Sequence, residues 1–295
     1  MIMDAGKTPP ALFDRRLIRV RRARGAKQPR DAFLYQRAAL DAVERVKDVN
    51  RSFSASLLLG NAEISDLITE ENGDKLGHVV KADHSNLSHG LDLICDEEAL
   101  PFADKSFDFI FSGLTLHGVN KIPQVLMDVK RLLRPDGLFI CALFGGETLR
   151  RLRYALYEAE DLSLGHASPR ISPMIELQQA ANLLQKAGFA IPVIDRDLVQ
   201  VSYTSLSSLY NDLGRMGERN ALIDRMKIGA TKCLFKNLEE IYARDHKNED
   251  GKLDVNFDIL WLTGWAPHPG QQKPLKPGSA KSRLSDALGV KEHKV

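Results

Sequence analysis

From Ser54 to Leu143 the chain alternates short runs of strand-forming apolar residues with longer stretches of helical rhythm, and this alternation narrows the possible folds more than any other feature. Strands are predicted at Ser54–Leu59, His78–Lys81, Leu91–Cys95, Phe107–Ser112 and Leu138–Leu143, with helices at Ala62–Glu70, Ile122–Leu133 and Glu147–Glu160. Strands separated by helices pair in parallel, because each connection must cross over the sheet. These strands are apolar throughout, as expected where helices cover both faces, so a doubly wound, Rossmann-like α/β sheet follows. Arg134-Pro135-Asp136-Gly137 is expected to stop a helix, with Gly137 supplying the turn into the fifth strand.

The flanks read differently. Arg15, Arg16, Arg19, Arg21, Arg22 and Arg24 are interleaved with Leu12, Phe13, Leu17, Ile18 and Val20, which predicts a basic helix with an apolar stripe. Its basic face is either solvated or set against an acidic partner or an anionic membrane surface. A second helix is expected over Ala32–Val49, so residues 1–50 form an N-terminal helical segment and 51–266 the main domain. Beyond Gly165, an amphipathic stretch at Met174–Ala187 precedes strands at Phe189–Asp195 and Leu198–Tyr203. Helices follow at Leu206–Leu213 and Thr231–Asp245, then a strand at Val255–Thr263, and the Pro, Gly, Lys and Ser of 267–295 read as a disordered tail.

Composition excludes several classes. Lys plus Arg number 41 against 39 acids, and a formal charge of +2 gives bulk electrostatics no hold on nucleic acid. No window of about 18 apolar residues is available for a transmembrane span. The first ten residues lack the apolar segment of a signal peptide, and Cys95, Cys141 and Cys233 show no C-x-x-C spacing, which fits a reducing compartment.

In an open α/β sheet, ligands bind at the carboxyl ends of the strands where strand order reverses. An acid ending the second strand can accept hydrogen bonds from both hydroxyls of a ribose. An acid after the third can reach the exocyclic amine of an adenine. Asp83 and Asp96 occupy these places. Each alone serves equally well as a turn former or helix cap, but together they point to an adenosyl ligand.

LICDEEALPFADKSFDFIFSGLTLH followed by DVKRLLRPDGLFI resembles the class I S-adenosylmethionine-dependent methyltransferases. LFDRRLIRVRRARGAKQP, FGGETL at 144–149, SPRISP at 168–173, MGERN at 216–220, YARDHKNEDGKLDVNFDILWLTGW at 242–265 and GSA at 278–280 narrow the resemblance to one branch. That branch contains bacterial biotin-synthesis methyltransferases and a mitochondrial respiratory complex I assembly factor. The resemblance implies a seven-stranded sheet with an antiparallel last strand, a helical insertion at about 197–250 over the site, and S-adenosylmethionine as cofactor. Gly60 then matches the first glycine of the cofactor loop, Asp83 the ribose acid, and Asp96 with Glu97 the adenine-side pair. It also implies a protein partner, a complex I subunit, in the mitochondrial matrix of a eukaryote or the cytoplasm of a bacterium.

Its chemistry stays open among methyl transfer to a protein, arginine hydroxylation as associated with the assembly factor, a non-catalytic scaffold, and a small-molecule methyltransferase of the biotin type. His117, after the fourth strand, is the histidine placed for catalysis; it serves equally as a packing or capping residue. No Asn/Asp-Pro-Pro-Tyr sequence supports amide or adenine methylation. None of the eight histidines is followed two residues later by an acid, so no iron site is visible and no metal is expected.

The loop after the first strand departs from the family pattern acid-x-Gly-x-Gly-x-Gly. Leu58 replaces the acid, Ala62 and Ile64 replace two glycines, and Glu63 stands between them. A β-branched residue suits such a turn badly. Glu63 at ~4 Å from a ligand carboxylate, at an effective dielectric near 20, repels it by roughly 4 kcal/mol. Glycines at 63 and 64 are therefore expected to strengthen S-adenosylmethionine binding.

Overall fold

A computed structural model of the chain describes residues 10–27, 33–85, 90–227, 229–272 and 279. The apolar strands β1 (Ala55–Gly60) and β4 (Phe107–Gly113) lie side by side near the centre of the sheet. β2 (His78–Asp83) and the short β3 (Leu93–Ile94) extend one side, and β5 (Leu133–Phe144), β6 (Ala190–Tyr203) and β7 (Leu253–Trp265) the other. The order is β3-β2-β1-β4-β5-β7-β6. β1 to β5 pair in parallel and β7 runs antiparallel between β5 and β6, which is the seven-stranded arrangement the resemblance implies.

Strand alternation sends successive side chains to opposite faces. Leu58 joins one core layer with Phe109, Phe111, Ile140 and Trp261, while Leu57 and Leu59 join the other with Ile110, Phe139 and Cys141. The first layer is closed by α2 (Phe33–Asp48), α3 (Ala62–Leu76), α5 (Arg150–Leu164), α7 (Leu206–Arg215) and α8 (Lys232–His246). The second is closed by α4 (Ile122–Leu132) and α6 (Leu177–Ala187). α4 turns Val125, Leu126, Val129 and Leu132 inward, the spacing of one helix face. Burying each such side chain stabilises by about 1.5–3 kcal/mol, which is why the apolar runs decide the layers. α1 (Arg15–Gly25) packs against α7 at the carboxyl edge of the sheet. Among the described residues, no helix is long and apolar enough to cross a membrane.

Four boundaries differ from expectation. The strand expected at 91–95 is reduced to Leu93–Ile94, because the Asp92 carboxylate accepts the Lys81 N–H that a longer ladder would use. β5 starts at Leu133 and carries Arg134–Gly137 as a bulge against β4; the left-handed residue there is Asp136, at φ +63°, and not Gly137. The two strands expected at 189–195 and 198–203 are one continuous edge strand, β6, so the helical part of the stretch expected at 197–250 begins at Leu206. Pro192 is tolerated in β6 because an edge strand needs only half of its ladder hydrogen bonds. In the tail expected from Pro267, Gln271 donates its side-chain amide to Asp136 and Ala266; beyond Gln272 all but Ser279 lies outside the described residues.

Candidate functional site

The chain leaves β1 toward β2 on one side and, after β3, crosses back to place β4 on the other side of β1, which opens a crevice at the carboxyl ends of these strands. Gly60 ends β1 at φ +114°, where a Cβ would lie 2.5 Å from Thr115 Cγ2 and 2.7 Å from the Gly113 carbonyl, so only glycine fits. Asp83 ends β2, and Asp96 and Glu97 follow its neighbour β3, so the fold brings the three acids to one edge. His117 sits in a short 3-10 turn, Leu116–Gly118, after β4.

Sequence reasoning did not foresee what covers these acids. α1, capped at its start by Asp14, lies across them. Arg15 Nη2 donates to Asp96 Oδ1 at 2.7 Å and also to Glu97, and its Nη1 donates to the Gly118 carbonyl at 3.1 Å. Arg22 Nη2 donates to the Leu114 carbonyl at 3.1 Å and lies 3.4 Å from Glu218 Oε1, while its Nη1 lies 4.0 Å from Glu97 Oε1. Leu114 is held at φ +51°, an outlying conformation for a bulky residue that turns its carbonyl to the guanidinium. Glu218 faces His117 Nε2 at 2.9 Å and the Tyr35 hydroxyl at 3.1 Å.

Backbone pairing ties the N-terminal segment to the MGERN segment. Asp14 N donates to the Ala221 carbonyl at 2.8 Å and Ile223 N to the Leu12 carbonyl at 3.0 Å. Two segments about 200 residues apart in the chain thus form one lid. The basic helix accordingly divides: Arg15 and Arg22 turn inward, whereas Arg16, Arg19 and Arg24 are exposed. Arg170 is paired with Glu160 at 2.5 Å, and Arg219 donates to the Tyr210 carbonyl at 3.0 Å, so both make contacts within the chain.

Burial alone would raise the Glu218 carboxyl, but His117 and Arg22 outweigh it and hold the group at about 2, against an ordinary 4.5. A carboxyl depressed on folding contributes stability above its unfolded value and loses it as pH falls through the folded one. The expected contribution is about 3 kcal/mol, lost between about pH 4.5 and pH 2. Urea unfolding of the wild type and Glu218→Gln checks this. The gap between them should be largest near neutrality and shrink through that window, and a gap independent of pH would refute the assignment. Burial, then Glu97, Asp83 and Asp96, push the Cys95 thiol up to about 12, a sign of the negative field at this edge.

Beside the His117–Glu218 pair opens a cavity of about 220 Å³. The motifs that distinguish the branch supply much of its wall: Leu149 of FGGETL, Arg170 and Ile171 of SPRISP, and Glu218 of MGERN, with His117 at the polar end.

S-adenosylmethionine, the cofactor the resemblance implies, meets residues that fit it at one end only. Asp83 ends β2, where the resemblance expects the ribose acid. On the adenine side Asp96 and Glu97 are already paired with Arg15. On the methionine side the loop is short, because α3 starts at Ala62 with Asn61 capping the Glu63 N–H. Ile64 is therefore not in a turn, as expected from the sequence, but inside α3 and 1% exposed, with its side chain against Gly113. The full cradle does not fit. His84, passed over by the sequence search, joins Asp83 and Glu97 in a buried group whose ligand atoms lie within 4.8 Å of one another. The signal for it was the Asp83-His84 pair at a strand end, not a His-x-acid spacing.

A family model described as a methyltransferase domain matches residues 74–141, a span that includes Asp83, Asp96, Glu97 and His117. The mitochondrial arginine-hydroxylase NDUFAF5 of Mus musculus is 33% identical over 294 residues, covering 95% of this chain and 85% of that protein. A malonyl-[acyl-carrier protein] O-methyltransferase of Xylella fastidiosa is 36% identical over 179 residues, covering 58% of this chain and 56% of that protein. Among solved structures, the YcgJ protein of Bacillus subtilis superposes with a TM-score of 0.53 at 12% identity, covering 79% of this chain and 99% of that one.

Proposed function

The chain belongs to the family of the arginine-hydroxylase NDUFAF5 and carries a class I methyltransferase fold, and from that premise we propose that it hydroxylates an arginine side chain of a protein, with dioxygen supplying the inserted oxygen and an external two-electron reductant reducing the second oxygen to water. The substrate in this reading is a subunit of respiratory complex I, which the protein serves as an assembly factor. The observation that carries the reading is the cavity beside His117 and Glu218, walled by the motifs that set this branch apart from other methyltransferase-fold proteins. A cavity of about 220 Å³ suits one extended side chain entering from a protein surface. Its polar end offers a carboxylate, Glu218, for a guanidinium, and His117 to hold or move a proton. Methyl transfer is the second reading, favoured by Asp83 at the ribose position.

Mass spectrometry of the assembled complex from cells carrying each variant separates these readings. A gain of one oxygen on an arginine, lost in His117→Gln while the protein stays folded, is the expected result. A gain of one methylene would select methyl transfer instead. Assembly that persists in His117→Gln and in Asp83→Ala, with no mass gain in any sample, would select a scaffold.

A further inference from the structure

We propose that Asp83, His84 and Glu97 bind one divalent first-row cation of the Fe(II) or Mn(II) class at the carboxyl edge of β2 and β3. Asp83 and His84 are consecutive at the tip of β2, and Glu97 comes from the turn after β3. They are 6%, 4% and 2% exposed. His84 Nδ1 lies 3.5 Å from Asp83 Oδ1 and 3.8 Å from Glu97 Oε1. Adjacent ligands of an octahedral ion bound at about 2.1 Å stand about 3 Å apart, so the set needs only a small contraction to close on a cation.

Hydrogen bonding leaves this group unexplained. Both ring nitrogens of His84 and Oε1 of Glu97 are buried without a hydrogen-bond partner among the described residues. A histidine buried for packing ordinarily satisfies at least one nitrogen, since a lone buried polar atom costs about 1–3 kcal/mol. The 3.5 and 3.8 Å separations from the two carboxylates lie beyond the ordinary range of about 2.7–3.2 Å for an N–H···O hydrogen bond. A cation that takes one lone pair from the ring and one from each carboxylate would satisfy the nitrogen and Glu97 Oε1 together.

Charge points the same way. Four carboxylates, Asp83, Asp96, Glu97 and Glu218, face two guanidiniums, Arg15 and Arg22. Carboxylates outnumber guanidiniums at this edge by two, a field that favours a cation. The donor set selects the metal class. One imidazole and two carboxylates without a thiolate disfavour copper(I) and structural zinc, and the nitrogen disfavours calcium and magnesium. Three protein ligands leave coordination positions open to water or to another ligand.

The test uses the full, untagged chain, stripped of metal and titrated with Mn(II) under electron paramagnetic resonance. We expect one saturable Mn(II) per chain, with spin-echo modulation from a coordinated imidazole nitrogen. His84→Phe keeps the ring volume and removes both orphaned nitrogens, so it should fold at least as well as the wild type. It should bind Mn(II) about 100-fold more weakly and lose the nitrogen signal. If His84→Phe does not fold, Asp83→Asn replaces it, with the same loss of affinity expected and its fold judged by thermal melting. Wild-type protein with no saturable Mn(II) binding overturns the proposal. So does a folded variant that binds as tightly as the wild type, or bound Mn(II) without nitrogen coupling.

Discussion

Replacing Arg22 by methionine is expected to cost about 3–5 kcal/mol of folding stability, the range found when one partner is removed from a buried ionic network. Burial disfavours the Arg22 charge, yet Glu218, Tyr35 and Glu97 around it hold its pKa raised, so the charge is bound to its surroundings. Methionine keeps much of the side-chain volume but leaves Glu218 with His117 and the Tyr35 hydroxyl and no guanidinium, and leaves the Leu114 carbonyl without its donor. In a domain of this size the loss lowers the melting temperature by on the order of 10 °C. Urea denaturation provides the measurement. Adding Glu218→Gln to Arg22→Met should recover part of the loss, because the uncompensated carboxylate is then gone. A single-variant cost below about 1 kcal/mol would mean that water reaches the pair and that α1 is not locked to the sheet by charge.

What was legible in the sequence follows the length scale of the interactions. Leu57, Leu58 and Leu59 announce a strand buried on both faces because burial is recorded residue by residue, and the alternation of strands and helices then sets parallel pairing. Asp83 and Asp96 were readable for the same reason: each follows a strand end, and β2 pairs with β3. β6 was read as two strands because the charged pair Arg196-Asp197 looks like a break. Both are accommodated at an exposed edge, where Arg196 reaches across to the buried Asp258. The lid could not be read at all. Arg15 meets Glu97, and Arg22 meets Glu218, across 82 and 196 positions of chain, and no local pattern records a contact at that separation. The FGGETL motif likewise gains its meaning only in three dimensions, where a Cβ on Gly145 would lie 2.6 Å from Asp258 Oδ2 and Thr148 exchanges hydrogen bonds with the Asp258 backbone.

The same dependence on neighbours reverses the expectation for the loop after β1. Judged against the family pattern, glycines at 63 and 64 should restore room for S-adenosylmethionine. The structure instead predicts that Glu63→Gly with Ile64→Gly destabilises the protein by about 3–6 kcal/mol. Truncating a buried isoleucine to alanine costs about 2–5 kcal/mol, and glycine within a helix about 1 kcal/mol more. Ile64 is 1% exposed, and its Cδ1 would lie 3.2 Å from a Cβ on Gly113. The side chain missing from β4 at Gly113 is therefore the space that Ile64 fills. Room for a ligand has been exchanged for packing between α3 and the sheet, and glycine at 64 opens a core cavity rather than a cofactor cradle. Thermal and urea denaturation of the double variant check the loss, and stability within about 1 kcal/mol of wild type would show that α3 relaxes into the gap. Charge is isolated from packing by Glu63→Gln, which leaves the helix and Ile64 intact. Its expected stability cost is about 0.5 kcal/mol, from the lost negative charge in the first turn of α3. If repulsion by Glu63 is what opposes S-adenosylmethionine, calorimetry on this single variant should show tighter binding than the wild type. Unchanged binding would place the obstacle in the pairing of Arg15 with Asp96 and Glu97, on the opposite side of the crevice.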